Sequence, residues 1–252
     1  MPEERRRRIV RLVREAGSVT VSRLESEFGI SPMTARRDLI ALEEEGWVRR
    51  IHGGAVLPEF AGHEDSFWYR LEEEVAAKER LAGAAMGLLE PGDSVFLDCS
   101  TTTYYLARRI LSEGPRVTLL TNSVPVMELV MKNGAPRTDI IGVGGLMRML
   151  TLSFVGPHAV RAISAHSADK SFISVKGVTR DGYLTDPDPM ETEVKRAMVE
   201  HSEEPVLLMD GSKFERRGLN VITHASKLSQ ALVADAPREW LASLADTEVR
   251  SV

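Results

Sequence analysis

In the part of the chain that follows Tyr69, short apolar runs alternate with segments of helical periodicity. The runs that predict strands span 94–98, 117–121, 138–143, 171–175, 206–210 and 231–235. Strands that alternate with helices form a parallel sheet, because each crossover helix returns the chain to the same end of the sheet. We therefore predict an α/β domain with a mostly parallel sheet for residues 69–252.

Polar residues and glycines follow several of these strands, and ligands bind at the carboxyl ends of strands in such sheets. Hydroxyl groups at the start of a helix suit an anion, and glycines let the backbone approach it closely. The candidates are Asp98, Ser100, Thr101, Thr102 and Thr103 after the first strand, Asn122 and Ser123 after the second, Gly144, Gly145 and Arg148 after the third, and Lys195 and Lys213 further along. Together they predict a pocket for a phosphorylated polyol.

Each of these features also has an ordinary structural explanation. Ser and Thr cap many helices, and a lone cysteine such as Cys99 most often fills a core. The glycine run 142–145 falls short of a dinucleotide-binding motif, because Met147 stands where the third glycine should be. The single cysteine excludes an intrachain disulfide, and the six histidines show no ligand spacing, so we expect no structural metal and no cofactor. Asp181-Gly182 predicts a hairpin turn.

The first 58 residues predict a winged helix-turn-helix. Apolar spacing indicates one helix that ends at Gly17 and a shorter one before the turn Gly29-Ile30. Ser31 can cap a third helix, and Pro32 has the φ of a first helical residue. The runs 47–50 and 55–57 predict two strands paired around Gly53-Gly54, which would form the wing.

The third helix has the surface chemistry that readout of a DNA major groove requires. At about 100° per residue, its apolar stripe is buried and a face with two guanidiniums and a hydroxyl is exposed. The predicted DNA-contacting residues are Ser31, Met33, Thr34, Arg36 and Arg37 on this helix and Arg50, His52 and Gly53 in the wing. The alternative is a small interaction module in which Arg36 and Arg37 are only a solvated face.

The charge distribution favours DNA binding by the first region. Through residue 58 there are 11 Lys and Arg against 9 Asp and Glu, whereas the remainder holds 21 against 28. The run Arg5–Arg8 either meets phosphates or is a frayed, solvated terminus. We place the DNA-binding domain at 1–58, a linker at 59–68 and the α/β domain at 69–252.

The composition is that of a globular chain. Its 252 residues are 43% hydrophobic and 27% charged, which fits a small module plus one larger core. No apolar run approaches the roughly 20 residues of a membrane-spanning helix, and the start of the chain lacks the apolar segment of a signal peptide. We expect a cytoplasmic protein with no membrane partner.

Both halves resemble the DeoR family of bacterial transcriptional regulators. The first half matches the family's S-x-x-T-x-R-R-D-L helix from Ser31 and its R-x-H-G-G-A wing from Arg50. The second half is similar at Lys78-Glu79, at the D-x-x-T-T-T segment from Asp98, at Thr121-Asn122-Ser123, at Gly144-Gly145 with Arg148, from Glu191 to Met198 and at Ser212-Lys213-Phe214.

The resemblance implies a sensor domain related in fold to ribose-5-phosphate isomerase, with a sugar phosphate as effector. It adds Glu191 to the candidate effector residues. It also implies a homodimer or higher oligomer on repeated operator half-sites, and a repressor that its effector releases from DNA.

Two residues depart from the family's pattern. Ser100 replaces the usual glycine before the threonine run, and Lys176 lies beside the pocket floor where a small or amide residue is more common. Both would change which effector fits.

Two other functions remain open from the sequence. The second domain could be a sugar-phosphate isomerase that uses Asp98, Glu191, Lys195 and Lys213 as acid, base and electrostatic groups, although the stretch 177–182 is short of carboxylates. The protein could also bind a phosphosugar and use its first domain to contact another protein.

Overall fold

The computed structural model describes residues 2–16, 18–57, 66–133 and 138–252. They form two compact units, Met1–Glu73 and Glu74–Val252. Most of the expected linker, 59–68, lies outside the described residues. Its last three residues belong to the first unit, because Ser66 caps a helix whose first residue, Phe67, is buried.

The first unit is the predicted winged helix-turn-helix. Its elements are α1 Pro2–Ala16, β1 Ser18–Thr20, α2 Val21–Phe28, α3 Pro32–Glu44, β2 Arg49–Ile51, β3 Gly54–Val56 and α4 Phe67–Glu72. The sequence did not predict β1, which pairs antiparallel with β3 to give the strand order β1-β3-β2. Its core joins apolar residues of α1, α2 and α3, among them Ile9, Leu24 and Leu39.

The two glycines of the wing have different roles. Gly53 has φ +83°, a left-handed conformation that the tight turn requires. Gly54 lies inside β3, where a Cβ would come 2.1 Å from the carbonyl oxygen of Val19. The pair of glycines therefore makes the turn and also lets β1 approach the hairpin.

The second unit contains a parallel sheet with helices. The helices are α5 Val75–Met86, α6 Thr101–Glu113, α7 Val124–Asn133, α8 Pro157–Ser164 and α9 Pro189–Glu200. The strands of the large sheet are β4 Ser94–Leu97, β5 Val117–Thr121, β6 Thr138–Gly142, β9 Ala168–Ile173, β12 Ser202–Asp210, β14 Gln230–Ala234 and β15 Glu248–Ser251. All six predicted strands are present in this sheet, and β15 is added at one edge.

Smaller antiparallel pairings flank this sheet, and of these the sequence predicted only the hairpin turn at Asp181-Gly182. They are the hairpin of β7 Leu146–Arg148 with β8 Ser153–Val155, and a sheet of β10 Gly177–Val178, β11 Tyr183–Asp186 and β13 Asn220–His224. Gly182, at φ +81°, makes the expected turn between β10 and β11.

The order of the large sheet reverses beside β4. The strand order is β15-β14-β12-β9-β4-β5-β6, and every pairing in it is parallel. From β4 the chain proceeds to β5 and β6 on one side, and it then returns to β9 on the other. A crevice therefore opens at the carboxyl ends of β4 and β9, which is where open α/β sheets bind ligands.

Among the helices of the described residues, none is both long and apolar enough to cross a bilayer.

Candidate functional site

The N-terminus of α3 is built as its sequence predicts. Ser31 has an extended conformation, with φ −71° and ψ 155°, and its Oγ accepts a hydrogen bond of 3.2 Å from the backbone N–H of Thr34. The Oγ atoms of Ser31 and Thr34 are also 2.9 Å apart. Pro32 occupies the first turn, where its missing N–H costs no hydrogen bond.

One face of α3 is exposed and rich in cations. Met33 is 63% exposed, and Arg36 and Arg37 are exposed as well, whereas Ala35 and Leu39 are buried. Within the described residues, neither Arg36 nor Arg37 makes a hydrogen bond or an ion pair. These two guanidiniums are therefore available to a ligand outside the chain.

The arginines at the start of α1 are used differently. Arg5 Nε lies 2.6 Å from Asp38 Oδ2, and Arg6 Nε lies 3.4 Å from Asp38 Oδ1. Asp38 is only 3% exposed, so these contacts tie α1 to the buried side of α3. Arg8 stacks on the ring of Phe28, with 4.9 Å from its Cζ to the ring centroid. The basic run therefore stabilises the first unit through Arg5, Arg6 and Arg8. It lies within α1 and is not a frayed terminus.

The wing is fixed to α3 through Arg50. Its Nε donates to Glu43 Oε2 at 2.6 Å, and its backbone N–H donates to Oε1 of the same carboxylate at 2.8 Å. Burial acts to raise the pKa of Glu43, but the hydrogen bonds and the charge of Arg50 outweigh it and leave that pKa below its ordinary value. His52 and Gly53 are exposed at the tip of the turn.

In the second unit, Asp98 organises the ends of β4 and β9. Its Oδ1 accepts hydrogen bonds from the Ser100 N–H at 3.0 Å and the Thr103 hydroxyl at 2.9 Å. Its Oδ2 accepts from the N–H of Ser174, directly after β9, at 3.0 Å. Asp98 is fully buried, so this carboxylate fixes the floor of the crevice.

Lys195 completes this buried cluster from α9. Its Nζ lies 3.3 Å from Asp98 Oδ2 and 2.6 Å from Asp186 Oδ2, and it donates to the carbonyl of Ser174 at 2.6 Å. Burial alone would lower the pKa of Lys195, but Asp186 and Asp98 outweigh it and the pKa is raised. We call Asp98, Asp186 and Lys195 the buried charge cluster.

A second network surrounds Glu191, which is 2% exposed. Arg148 donates from Nη1 to Glu191 at 3.2 Å and from Nε to Asp188 at 3.2 Å. The hydroxyls of Thr151 and Ser153 also donate to Glu191. These bonds link the β7–β8 hairpin to the start of α9.

Several predicted effector residues also have bonds within α6 itself. The Oγ of Ser100 accepts from the backbone N–H of Thr103 at 3.2 Å, as a helix cap does. The side chain that replaces the family's glycine is thus bound to its own helix. Thr101 and Thr102 are buried in the first turn of α6.

Two polar atoms at the end of β5 have no partner in the described chain. Asn122 donates through Nδ2 to the carbonyl of Phe154 at 2.9 Å, but its Oδ1 is buried without a hydrogen bond. The hydroxyl of Ser123 is also buried and unpartnered. Such atoms cost free energy unless a ligand or water satisfies them.

The remaining candidates lie in loops near strand ends. Gly144 and Gly145 are exposed after β6, and a Cβ at Gly145 would come 2.6 Å from the carbonyl of Val155. Lys176 is partly buried after β9. Lys213 is partly buried in the turn after β12, and its Nζ lies 3.9 Å from Asp210 Oδ2.

Comparison with known sequences decides the family. The model of the DeoR-like helix-turn-helix domain matches residues 5–60, and that of the DeoR C terminal sensor domain matches residues 73–236. The chain belongs to the DeoR family of transcriptional regulators.

Individual relatives of this DeoR-family regulator align over most of their lengths. This chain is 33% identical over 234 residues to the uncharacterized HTH-type transcriptional regulator YulB of Bacillus subtilis, and the alignment covers 92% of this chain and 88% of that protein. It is 31% identical over 237 residues to the glycerol-3-phosphate regulon repressor of Escherichia coli K12, covering 93% and 91%.

A solved structure of ribose 5-phosphate isomerase A from Methanocaldococcus jannaschii matches 56% of this chain and 55% of its own, with 18% identity and a TM-score of 0.41. That likeness is too weak to carry an argument, so the kinship to this isomerase stays a prediction.

The sequence did not indicate several residues that shape these sites. Asp186, Thr151 and Ser153 carried no motif that marked them, and Asp38 was indicated only as part of the motif from Ser31, without its partners Arg5 and Arg6. Asp188 did carry a local signal. It is followed by a proline and, three residues later, by Glu191, and its Oδ1 caps α9 by accepting from the backbone N–H of Glu191 at 2.9 Å.

Proposed function

We propose that this DeoR-family regulator is a repressor whose affinity for operator DNA is controlled by a phosphorylated sugar bound in its second unit. The observation that carries the proposal is the contrast within the first unit: among its described residues, Arg36 and Arg37 are exposed without partners, whereas Arg5, Arg6 and Arg50 are paired. Relatives named as repressors of glycerol-3-phosphate and lactose phosphotransferase genes support repression.

For DNA binding, the N-terminal half of α3 lies in the major groove in this proposal. Arg36 and Arg37 contact guanine edges or phosphates, and Met33 and Thr34 contact the adjacent bases. Ser31 sets the start of the helix, and the wing around Arg50, His52 and Gly53 meets the neighbouring backbone or minor groove. Glu43 binds the Nε of Arg50, and in this proposal the two Nη atoms of Arg50 donate to a DNA phosphate.

For the effector, the crevice beside β4 is the binding site. The first turn of α6, with Thr101 and Thr102, receives the phosphate at a helix N-terminus, and Lys213 and Lys176 add positive charge. Asn122 Oδ1 and Ser123 Oγ bind the hydroxyl groups of the sugar, which supply the hydrogen-bond donors that Oδ1 lacks. Gly144 and Gly145 allow close approach of the backbone.

Other predicted effector residues act indirectly in this proposal. Asp98, Thr103 and Lys195 fix the floor of the crevice, Ser100 caps α6, and Arg148 and Glu191 hold the β7–β8 hairpin against α9. Their positions determine the shape of the site without direct contact to the ligand.

Effector and DNA are coupled through a shared conformational equilibrium. A coupling of about 1–3 kcal/mol changes DNA affinity about 5- to 150-fold. Release of DNA by the effector is the proposed direction, and we propose that the protein acts in the cytoplasm as a homodimer or higher oligomer on repeated half-sites.

The test uses the full-length protein and an operator selected from random duplexes. A thermal-shift panel of phosphorylated sugars identifies the effector, because binding to the native state alone raises its stability. The effector is then titrated into the protein–operator complex while fluorescence anisotropy is followed. Failure of every sugar phosphate to alter operator affinity would overturn effector control. Failure to select any duplex would overturn DNA binding.

We propose no catalysis by the second unit. The carboxylate of Asp98 and the amine of Lys195 are bound to each other and to backbone groups, and Glu191 is enclosed by Arg148, Thr151 and Ser153. A general acid or base must reach its substrate. Turnover of ribose 5-phosphate by the purified protein would contradict this proposal.

A further inference from the structure

A second cavity lies in the second unit, outside the crevice beside β4. It has a volume of about 650 Å³ and is bounded by β10, β11 and the segment between Phe214 and Val221. Its apolar wall includes Val178, Phe214 and Trp240. Cavities of roughly 300–1,000 Å³ with apolar walls and a few polar groups are typical of small-molecule sites.

Three arginines line this cavity, and among the described residues their guanidiniums make no hydrogen bond and no ion pair, although Arg217 also feels the charge of Asp181. Among arginines of this unit whose side chains the structure describes, four make neither a hydrogen bond nor an ion pair: Arg180, Arg216, Arg217 and Arg250. The first three border the cavity, where the lining carboxylate is that of Asp181. Others, such as Arg80, Arg109 and Arg196, pair with carboxylates, and Arg161 bonds to His158.

This concentration of positive charge stands out in a region that is acidic as a whole, with 21 Lys and Arg against 28 Asp and Glu after residue 58. Guanidiniums grouped around a concave surface are suited to an oxyanion, which they bind through paired hydrogen bonds.

The backbone that carries Arg216 and Arg217 is held rigidly. A Cβ at Gly177 would come 1.7 Å from the carbonyl oxygen of Arg216, and one at Gly218 would come 2.3 Å from the backbone of Asp186. The hydroxyl of Thr185 donates to the Gly177 carbonyl and accepts from the Gly218 N–H, both at 2.9 Å. Glycines thus permit a close contact that fixes the two arginines at the rim.

The aromatic side of the cavity positions one of the three arginines. Arg180 lies over the ring of Trp240, with 4.7 Å from its Cζ to the ring centroid, and Tyr183 is 42% exposed beside it. Stacking positions the Arg180 guanidinium toward the cavity without consuming its hydrogen-bond donors. A ligand here meets cationic groups at the rim and the exposed ring of Tyr183 beside them.

We propose that this cavity binds a small molecule that carries at least two phosphate groups next to an apolar or aromatic group, the chemistry of a nucleoside polyphosphate. Arg216 and Arg217 bind the phosphates, and the aromatic wall of Tyr183 and the accessible part of Trp240 receives the ring. The site adjoins the buried charge cluster, because Thr185 in its wall precedes Asp186. The two sites are therefore connected through β11.

The test is isothermal titration calorimetry of the full-length protein with ATP and, separately, with pyrophosphate. We expect ATP to bind once per chain and more tightly than pyrophosphate. The double variant Arg216→Ser/Arg217→Ser should bind ATP at least about tenfold more weakly. The matched control is Arg250→Ser, which removes the fourth unpaired arginine from a different place and should leave the affinity unchanged.

Other outcomes overturn all or part of the proposal. Binding of neither probe at millimolar concentration overturns it, as does binding that the double variant does not weaken or that Arg250→Ser weakens equally. Equal affinity for pyrophosphate and ATP overturns the role of the aromatic wall. If the double variant fails to fold, the single change Arg217→Glu provides the same test at an exposed side chain.

Discussion

The two units use charge in opposite ways. In the first unit, the predicted DNA-contacting cations Arg36 and Arg37 are exposed and unpaired within the part of the chain that the structure describes, while other arginines brace the fold. In the second unit, the predicted site residues Asp98 and Lys195 are buried and paired with each other, and Glu191 is buried and bound to Arg148. A surface that must meet a large, charged polymer can be displayed directly, whereas a small ligand needs a crevice of fixed shape, and buried networks provide that shape.

The largest expected effect breaks the buried charge cluster. Lys195→Met leaves the carboxylates of Asp98 and Asp186 facing each other without a cation, and removing one partner of a buried ion pair costs about 3–5 kcal/mol. We expect a drop of that size in the free energy of unfolding, measured by urea denaturation. Lys227→Met, at an exposed lysine, should change it by less than about 0.5 kcal/mol. Equal stability of the two variants would mean that Lys195 is not structural.

The next effect concerns the exposed face of α3. Arg37→Ala should weaken operator binding by about 1–3 kcal/mol if the side chain reads a base, and it should relax specificity at that position. The free energy of unfolding should stay unchanged, because Arg37 makes no hydrogen bond or ion pair with the residues that the structure describes. Anisotropy titrations with the selected operator measure the loss, and Arg116→Ala, at an exposed arginine of the second unit, is the control. Unchanged affinity in Arg37→Ala would refute the proposed orientation of the helix.

A smaller effect separates binding from stability at the end of β5. Ser123→Ala removes a buried hydroxyl that has no hydrogen-bond partner, so we expect the unliganded protein to gain about 1 kcal/mol of stability. The same change should reduce the thermal shift caused by the effector. Ser112→Ala, at an exposed serine of α6, should alter neither quantity. A loss of stability in Ser123→Ala would show that its hydroxyl is satisfied.

The smallest effect is the pH dependence of the wing. Because the folded-state pKa of Glu43 is lowered, its contribution to stability is present above the unfolded pKa of about 4.3 and is lost as the pH falls through the folded pKa. The pair with Arg50 is partly exposed, so we expect only about 0.2–1 kcal/mol. To measure this contribution, the free energies of unfolding of the wild type and of Glu43→Gln are compared from neutral pH down to pH values below the folded pKa of Glu43. A difference that persists undiminished in acid would exclude this carboxylate as its source.

Much of the fold could be predicted because local patterns determine it. The Ser31-Pro32 entrance and the apolar stripe of α3 are properties of a single helix, and the predicted strands of the large sheet are short apolar runs. The strands that were missed are two to five residues long, as in β1 and β10. Too few residues alternate there to show a period, and their pairing depends on distant partners.

The candidate sites divide in the same way. Exposure of Arg36 and Arg37 follows from helical periodicity alone, and the grouping of strand-end residues follows from a parallel sheet. The partners of Asp98 could not be predicted in this way, because Ser174 follows β9 and Lys195 lies on α9, both far from Asp98 in the sequence. The sequence also gave no sign that Arg180, Arg216 and Arg217 border one cavity.

The sequence by itself determined the element types, the order of the two units, the exposed cationic face of α3 and the membership in the DeoR family that its motifs indicated. Only the tertiary structure decided which charged side chains are paired and which remain available, because an ion pair depends on the distance between atoms that chain folding brings together. Burial then sets the consequence, since a charge without water must find a partner while an exposed one does not.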